Sequence, residues 1–387
     1  MNTTIGPTTS GAHAQPDYVH VGPDTLGGRY LRRFWHPVYM AADLLPGHAK
    51  PLRILGEDFT LYRGEDGRPQ VVAPRCAHRG TQLSTGWVEG DCLRCFYHGW
   101  TYDASGQCVE MPAEDPSFPP KVRIKSYPTE EYLGLIFAYL GEEEAPPLPR
   151  WPEFEAPGVL ETSTYVRHCS YFNSLENGID EVHVNFTHRS SGFTDFGLNW
   201  DVPLVSAEET EYGLCQYGRR ANGVVRVTPF VMPNILYIKG SPDDAESGWA
   251  DQVAWRVPLD DYRHQSFNAR LVHIEGAAAE RYLAQMQARR ETLANVPSAR
   301  EMADAILAGR LRLVDVEGRV DEVNIQDHVA QEGQGAIADR VNERLGRSDV
   351  AIILLRKIYQ RELRALREGR PLKAWTRPAR LEATSGV

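Results

Sequence analysis

Two short stretches of the chain place a cysteine and a histidine almost side by side: Cys76-Ala77-His78 and, sixteen residues later, Cys95-Phe96-Tyr97-His98. Two thiolates and two imidazoles in paired loops are the ligand set of a [2Fe–2S] cluster in which the cysteines hold one iron and the histidines the other. Such a cluster has a higher reduction potential than an all-cysteine one. Zinc is the rival occupant. A zinc finger, however, usually puts two cysteines in one pair and two histidines in the other, whereas each pair here is mixed. Gly80 and Gly99 follow the two histidines closely, where a tight turn needs a residue tolerant of positive φ.

The neighbours of these four residues bear on the potential of such a Rieske-type centre. High-potential respiratory centres carry an extra cysteine in each loop, joined as a disulfide, and a serine after the second histidine that donates to a cluster sulfur. Thr81, Tyr97 and Trp100 stand at the corresponding places here. Fewer donors imply a lower potential, because hydrogen bonds stabilise the more negative reduced state. Such a centre suits delivery of electrons to an oxygen-activating metal.

A second constellation lies about eighty residues on, in the run from Glu176 to His188. Two neutral imidazoles and one carboxylate on one face of an iron make the facial triad of non-heme Fe(II) oxygenases, which leaves positions open for O2 and substrate. Asn177, Asp180 and His183 are spaced i, i+3, i+6, along one side of a helix. His188 is roughly 140° round an ideal helix from His183. The helix must therefore bend, bulge or end near Phe186 and Thr187 for both histidines to reach one metal. As ordinary surface or core histidines they would need no such break. Spacing leaves the third ligand open among Asp315, Asp321, Glu322, Asp327 and Asp339.

These runs together resemble the catalytic α subunit of Rieske non-heme iron aromatic-ring-hydroxylating oxygenases, in the phthalate-dioxygenase-like branch. The resemblance extends from Val21-Gly22-Pro23 and Tyr30–Val38, through both cluster loops and the Asp180–His188 run, to Asn324-Ile325-Gln326-Asp327, Gln331-Glu332 and Ala338-Asp339-Arg340. Ala77 and Phe96 stand where prolines are usual, and neither supplies a ligand. The implied fold class is α+β: an all-β Rieske domain plus a larger α+β catalytic domain, an antiparallel sheet with helices of the helix-grip, START-like kind.

The resemblance also assigns residues. Cys76, His78, Cys95 and His98 would hold the [2Fe–2S] cluster, and His183, His188 and Asp327 the mononuclear Fe(II), with Asp321 as the fallback for the third place. Asp180 would bridge a cluster histidine and an iron histidine, with Asn177 beside it at the catalytic centre. His328 points about 100° away from Asp327 on a helix and is not expected to ligate. The implied activity is that of a terminal oxygenase. It would take electrons from an NAD(P)H-dependent reductase with flavin and iron–sulfur centres, and use O2 for dioxygenation, monooxygenation or oxidative O-demethylation of an aromatic substrate. An aromatic acid or a methoxylated aromatic is the expected substrate. In this family the bridged cluster belongs to the neighbouring subunit, which implies a homotrimer. The alternative is an electron-transfer Rieske protein without oxygenase activity, which loss of either iron histidine would have favoured.

The elements that must position these residues are also legible. Residues 1–44 read as an N-terminal segment, 45–150 as the Rieske domain and 151–387 as the catalytic domain. Phe59–Tyr62 and Gln70–Val72 flank Glu65-Asp66-Gly67, a hairpin signal. Leu133–Tyr139 reads as a buried strand, and the acidic, Pro-rich stretch Glu142–Pro152 as a boundary. Downstream, Val224–Val227 and Ile235–Ile238 read as strands, and Ala277–Ala294 and Ser348–Arg367 as helices. The last helix starts from a Ser348-Asp349 cap, lines up Leu355, Ile358, Tyr359, Leu363 and Leu366, and ends at Gly369 before Pro371. Its charged face, Arg356, Lys357, Arg361 and Arg364, reads as solvated, with docking of an acidic electron donor as the alternative.

At 387 residues, 42% of them hydrophobic, the chain can hold two sizeable cores. A formal net charge of −10 argues against nucleic acid or an anionic membrane as partner. There is no long apolar run, and residues 1–17 read as a polar tail rather than a signal peptide, so a cytoplasmic location is expected. Cys92, Cys108, Cys169 and Cys215 follow no disulfide framework, as in a reducing compartment. Phe193, Phe196, Trp200, Tyr217 and Tyr237 are candidates for an aromatic pocket, with core packing as the rival reading. Arg219, Arg220 or Lys239 could meet a substrate carboxylate, with surface placement as the rival.

Overall fold

The computed structural model describes residues 17–191, 201–240 and 250–384. After a short helix, Leu26–Leu31, its first part is built of β-strands. Ala49–Ile54, Glu57–Arg63, Pro69–Val72 and Ser126–Tyr127 form one four-stranded antiparallel sheet, and Trp87–Glu89, Cys92–Arg94, Thr101–Tyr102 and Cys108–Glu110 form another. The expected hairpin is present: Thr60–Arg63 pairs with Pro69–Val72, and Gly67 turns at φ +85°. A three-stranded sheet sets Leu135–Tyr139, buried along its length, between Trp35–Met40 and Thr129–Tyr132. This strand starts at Leu135 rather than Leu133, because Leu133 and Gly134 turn into it at φ +52° and +69°.

The second part is built on one antiparallel sheet of seven strands. Their order is Val159–Arg167, Arg263–Val272, Ala250–Asp260, Ile235–Gly240, Val225–Val231, Gly213–Arg219 and Leu204–Glu209. Side chains alternate between the two faces of a strand, and here the faces differ in kind. One carries Val253, Trp255, Val257, Phe267, Ala269 and Leu271, all buried. Trp255 packs edge-on against Phe137 of the three-stranded sheet and Trp151 of the boundary segment, at centroid distances of 5.5 and 6.2 Å. The two parts therefore share one apolar core. The opposite face carries Tyr165, Arg167, Arg256, His264, Ser266 and Asn268. Helices Tyr171–Gly178 and Glu322–Glu332 lie over it: Leu236 abuts Gly178, and Arg167 bonds Asn324 and Gln331.

Helices Gly276–Ala294 and Val350–Arg367 match the two expected from periodicity. The second buries Leu355, Ile358, Tyr359 and Leu363, and Tyr359 meets Phe172 at 5.0 Å between centroids. Two details differ from expectation. Asp349 stands at the N-cap position, but its side chain makes no capping bond to the helix; Arg347–Asp349 is a short 3-10 turn whose Asp349 carboxylate accepts from Gly346 N at 2.6 Å. The charged face is only partly solvated. Lys357, Arg361 and Arg364 are exposed, Arg361 with a 2.8 Å pair to Glu209, but half-buried Arg356 is paired with Glu176 and Glu343. Those acids lie on elements packed against the helix, which the helix's own periodicity cannot reveal. Among the described residues no helix is long and apolar enough to cross a membrane.

Removing the indole that joins the two parts should be costly. Trp255→Ala is expected to lower the free energy of unfolding by about 3–5 kcal/mol, read by chemical denaturation. A loss below about 1 kcal/mol would mean that the shared core does not couple the two parts.

Candidate metal centres

The two Cys–His loops have the same main-chain shape. Cys76 N donates to Thr81 O at 2.8 Å and Gly80 N to Cys76 O at 2.9 Å. In the second loop Cys95 N donates to Trp100 O at 2.9 Å and Gly99 N to Cys95 O at 3.0 Å. Gly80 and Gly99 sit at φ +76° and +74°, the left-handed turn their positions called for. The loops bury Cys76 and Cys95 side by side and set the rings of His78 and His98 4.4 Å apart. Nδ1 of His78 is buried with no hydrogen-bond partner, an orphan that a metal would satisfy. Burial pushes the Cys76 thiol up, so a bound metal is what would hold it as thiolate. The donor set fits a mixed-ligand [2Fe–2S] cluster. All six cysteines are free thiols, and no disulfide ties the loops.

Two neighbours of the loops have definite contacts. Trp100, in the place of the respiratory serine, stacks flat on His78 at 4.6 Å and fixes its ring. Tyr102 places its hydroxyl 3.2 Å from Cys76 Sγ while accepting from Ala77 N at 3.1 Å. Sequence reasoning counted donors that are missing and overlooked this one. Its signal was a tyrosine two residues past Trp100, on the strand leaving the loop.

At the second constellation, one continuous helix through Asn177, Asp180 and His183 does not form. The helix stops at Gly178. Oδ1 of Asp180 then accepts the N–H groups of Val182 and His183 at 3.0 and 3.2 Å, starting a new helical turn, His183–Phe186. That turn ends at Phe186, where a break was required for His188. The rings of His183 and His188 come to 5.2 Å between centroids. With a carboxylate oxygen of Asp327 they offer ligand atoms that all lie within 4.8 Å of one another.

The hydrogen bonds select the tautomer. Nδ1 of His183 faces the main-chain carbonyl of Asp180, and Nδ1 of His188 faces Gln326 Oε1 at 2.8 Å. Both partners are acceptors, so each ring keeps a proton on Nδ1 and presents Nε2 to the site, as a donor to Asp327 when the ring is protonated and as a ligand when it is neutral. Nε2 lies 4.0 Å from Asp327 Oδ1 in His183 and 3.4 Å in His188. This is the arrangement of imidazoles made ready for a metal by groups behind them. The link expected between the Asp180 carboxylate and an iron histidine is made by the Asp180 carbonyl instead. The half-buried carboxylate itself has its pKa raised by burial.

Asp327 is held by a closed ring. Arg167 lies 3.5 Å from Asp327 Oδ2 and donates to Gln331 Oε1 at 2.9 Å; Gln331 Nε2 donates to Asn177 Oδ1 at 2.7 Å, and Asn177 Nδ2 reaches Asp327 Oδ1 at 3.5 Å. Burial alone would raise the Asp327 pKa, but the His188 contact and the Arg167 charge prevail and hold it well below the usual carboxylate range. The other candidate acids are engaged elsewhere: Asp315 with Arg312, Asp321 with Arg319, Glu322 with Gln326, Asp339 with Asn342. His328 turns to Glu332 at 3.0 Å. Sequence reasoning gave no role to Arg167, a lone arginine at a strand end.

The pocket candidates fare differently. Phe193, Phe196 and Trp200 lie outside the described residues. Register places Tyr237 and Lys239 on the sheet face away from the helices, where Tyr237 stacks on Trp151. Tyr217 donates to Glu208 at 2.6 Å, Arg220 is bound to Glu181 at 2.9 Å, and Arg219 is exposed.

Comparison with known proteins gives a consistent picture. Residues 34–128 match the family model described as Rieske [2Fe-2S] domain. The chain is 30% identical over 380 residues to the 5,5'-dehydrodivanillate O-demethylase oxygenase subunit of a Sphingobium species, covering 92% of this chain and 80% of the relative. It is likewise 30% identical over 380 residues to the phenoxybenzoate dioxygenase subunit alpha of Ectopseudomonas oleovorans, covering 92% and 86%. Among solved structures, the terminal oxygenase of carbazole 1,9a-dioxygenase from Novosphingobium superposes with a TM-score of 0.66 at 22% identity, over 94% of this chain and 96% of that one.

Two substitutions test these contacts. Gln326→Leu removes the acceptor behind His188 and should weaken iron affinity about 10- to 100-fold in chelator competition, with the cluster spectrum unchanged. Tyr102→Phe removes a donor to a cluster thiolate and should lower the cluster midpoint potential in a redox titration; an unchanged or raised potential would exclude that contact.

Proposed function

This chain belongs to the oxygenase α subunits of Rieske non-heme iron systems, and on that premise we propose which of its residues do the work and on what substrate. It is an oxidoreductase that uses O2, a Rieske cluster and a mononuclear iron, and it receives electrons from a partner protein. We assign Cys76, His78, Cys95 and His98, within residues 45–150, to the cluster. His183, His188 and Asp327, within residues 151–387, are assigned to Fe(II). One observation carries the iron assignment: both histidines have Nδ1 committed behind them and Nε2 directed at the same oxygen of Asp327.

When bound, the cluster supplies electrons singly and the iron supplies the centre at which O2 is used on the substrate. The chain's own groups do the positioning. Asn177 and Gln331 fix the Asp327 carboxylate, and Asp180 fixes His183 through its carbonyl and shapes the turn through Oδ1. That leaves Asp180 Oδ2 as the atom that would hold a proton between this site and a cluster histidine. His98 is exposed at the rim of its loop, beside Phe96 and Tyr97, which are 49% and 52% exposed. Such a surface suits contact with a neighbouring subunit, as in a homotrimer, and with a reductase carrying flavin and iron–sulfur centres. The relatives named for a dehydrodivanillate and a phenoxybenzoate support an aromatic acid or methoxylated aromatic as substrate.

The test is a single turnover of the reduced, iron-loaded protein under labelled O2 with aromatic carboxylates and aryl methyl ethers. Two labelled oxygens on a ring would identify dioxygenation; one, or release of formaldehyde, monooxygenation or demethylation. Silence across the set with the iron verified would refute the aromatic reading. His183→Ala should lose the mononuclear iron and keep the cluster spectrum. Asp180→Asn should keep both centres and lower turnover about 100-fold or more; near-normal turnover would remove the bridging role.

A further inference from the structure

The polar face of the large sheet holds a second arginine, Arg256, that makes no ion pair with a carboxylate among the described residues. Register sets Tyr165, Ser266 and Arg256 in one row across three adjacent strands, so all three leave the same face. That face meets the Asp327 helix through Arg167 and through Tyr165, whose ring stacks under the Arg167 guanidinium at 4.8 Å. Nε of Arg256 is buried without a hydrogen-bond partner. Its side chain makes one long contact, 3.5 Å from Nη1 to Asn268 Oδ1. His264 Nε2, on the neighbouring strand, is also buried and unpartnered, and Ser266 Oγ faces Tyr165 beside it.

The other enclosed arginines of this part of the molecule show how unusual this is. Arg167 has Asp327, Arg220 and Arg226 share Glu181 at 2.9 and 3.1 Å, and Arg340 and Arg356 share Glu176. For Arg256 burial opposes the charge, Tyr165 favours it, and the nearby Arg167 opposes it again. Arg256 is half-buried with its Nε fully covered, and a guanidinium so placed without a counter-anion is unfavourable. A water could accept one of its N–H groups but could not balance its charge. A carboxylate could do both, because the planar guanidinium fork matches two carboxylate oxygens. Register puts Arg256 in the row of Tyr165, on the face whose Arg167 pairs with Asp327, so an anion held there would lie on the sheet face that meets the iron helix.

We infer that Arg256 is the anchor for a carboxylate on the substrate, which makes this chain selective for aryl carboxylates over neutral aromatics. The inference rests on the oxygenase reading above and deepens it by separating the two substrate classes that reading allows. Ser266 and His264 would line the anchor as neutral groups, since burial pushes His264 down to about 3. In sequence Arg256 interrupts an apolar strand, Val253-Ala254-Trp255-Arg256-Val257, a signal that only the register turns into a location.

The test measures binding rather than turnover, so it stands apart from any failure of oxygenase activity. Benzoate, 4-methoxybenzoate and phthalate, each paired with its primary amide, are titrated calorimetrically into the anaerobic, iron-loaded protein. At least one acid should bind about 10- to 100-fold more tightly than its amide, and R256M should collapse that ratio toward one while R256K keeps part of it. Equal binding of acids and amides, no acid binding, or a ratio that survives in R256M would each overturn the proposal. A second readout needs no ligand. If the charge is unpaired at rest, R256M should melt higher than wild type without ligand, and benzoate should raise the melting temperature of wild type but not of R256M. A lower melting temperature for a variant with intact cluster absorption and iron content would mean that Arg256 is a structural residue.

Discussion

The iron site depends on keeping the Asp327 carboxylate charged inside the protein. Burial disfavours that charge, and the opposing contribution comes from Arg167, itself almost fully enclosed, together with the imidazole of His188. Neutral amides engage both: Gln331 and Asn324 accept from Nη1 and Nη2 of the arginine, whose Nε is left without a partner, and Asn177 donates to the acid. A buried charge pair contributes only when its other hydrogen bonds are satisfied, and here a closed ring satisfies most of them. The strand that ends at Arg167 must therefore reach the helix that carries Asp327, and the break after Gly178 must leave Asn177 facing both.

That break is anchored on both sides by charge. Just before Asn177, Glu176 is gripped by Arg340 and Arg356; just after Asp180, Glu181 is gripped by Arg220 and Arg226. These pairs tie the short segment between the helices to the C-terminal helix on one side and to the large sheet on the other. The turn that presents His183 is thus set by elements distant in sequence, whereas its hydrogen bonding to Asp180 is local. The two faces of the sheet divide the remaining labour. The apolar face fuses with the small β part through Trp255, and the polar face supplies Arg167 and Arg256.

The parts of the site that were legible in the sequence are those governed by short-range sterics and by ligand chemistry. The cluster loops fall in this class, because a glycine at positive φ four residues after each cysteine closes a turn whose shape needs no help from elsewhere. So does the end of the helical turn before His188, which the angle between helical residues requires. The hairpin at Gly67 and the two long helices followed from period and turn residues alone. The helix break at Ile179–Val182 was missed, because the i, i+3, i+6 spacing was equally compatible with a continuous helix and only the Asp180 carboxylate, accepting from the main chain, tips the balance.

Other features turned on register and convergence, which a linear pattern does not contain. Five carboxylates had the right chemistry for the third ligand place, and resemblance rather than spacing singled out Asp327; the fold brings that one alone of the five to the two imidazoles. Tyr237 and Lys239 have suitable chemistry for a pocket but stand at positions whose parity sends them to the far face of the sheet, while Arg256 has the parity that faces the site. The sequence by itself determined the donor types, the two local loop shapes and the periodic elements, because each rests on contacts within a few residues. Only the tertiary structure decided which acid meets the histidines, which arginine balances it and which is left without a counter-charge, because those outcomes depend on strand register and on charges brought together from distant parts of the chain.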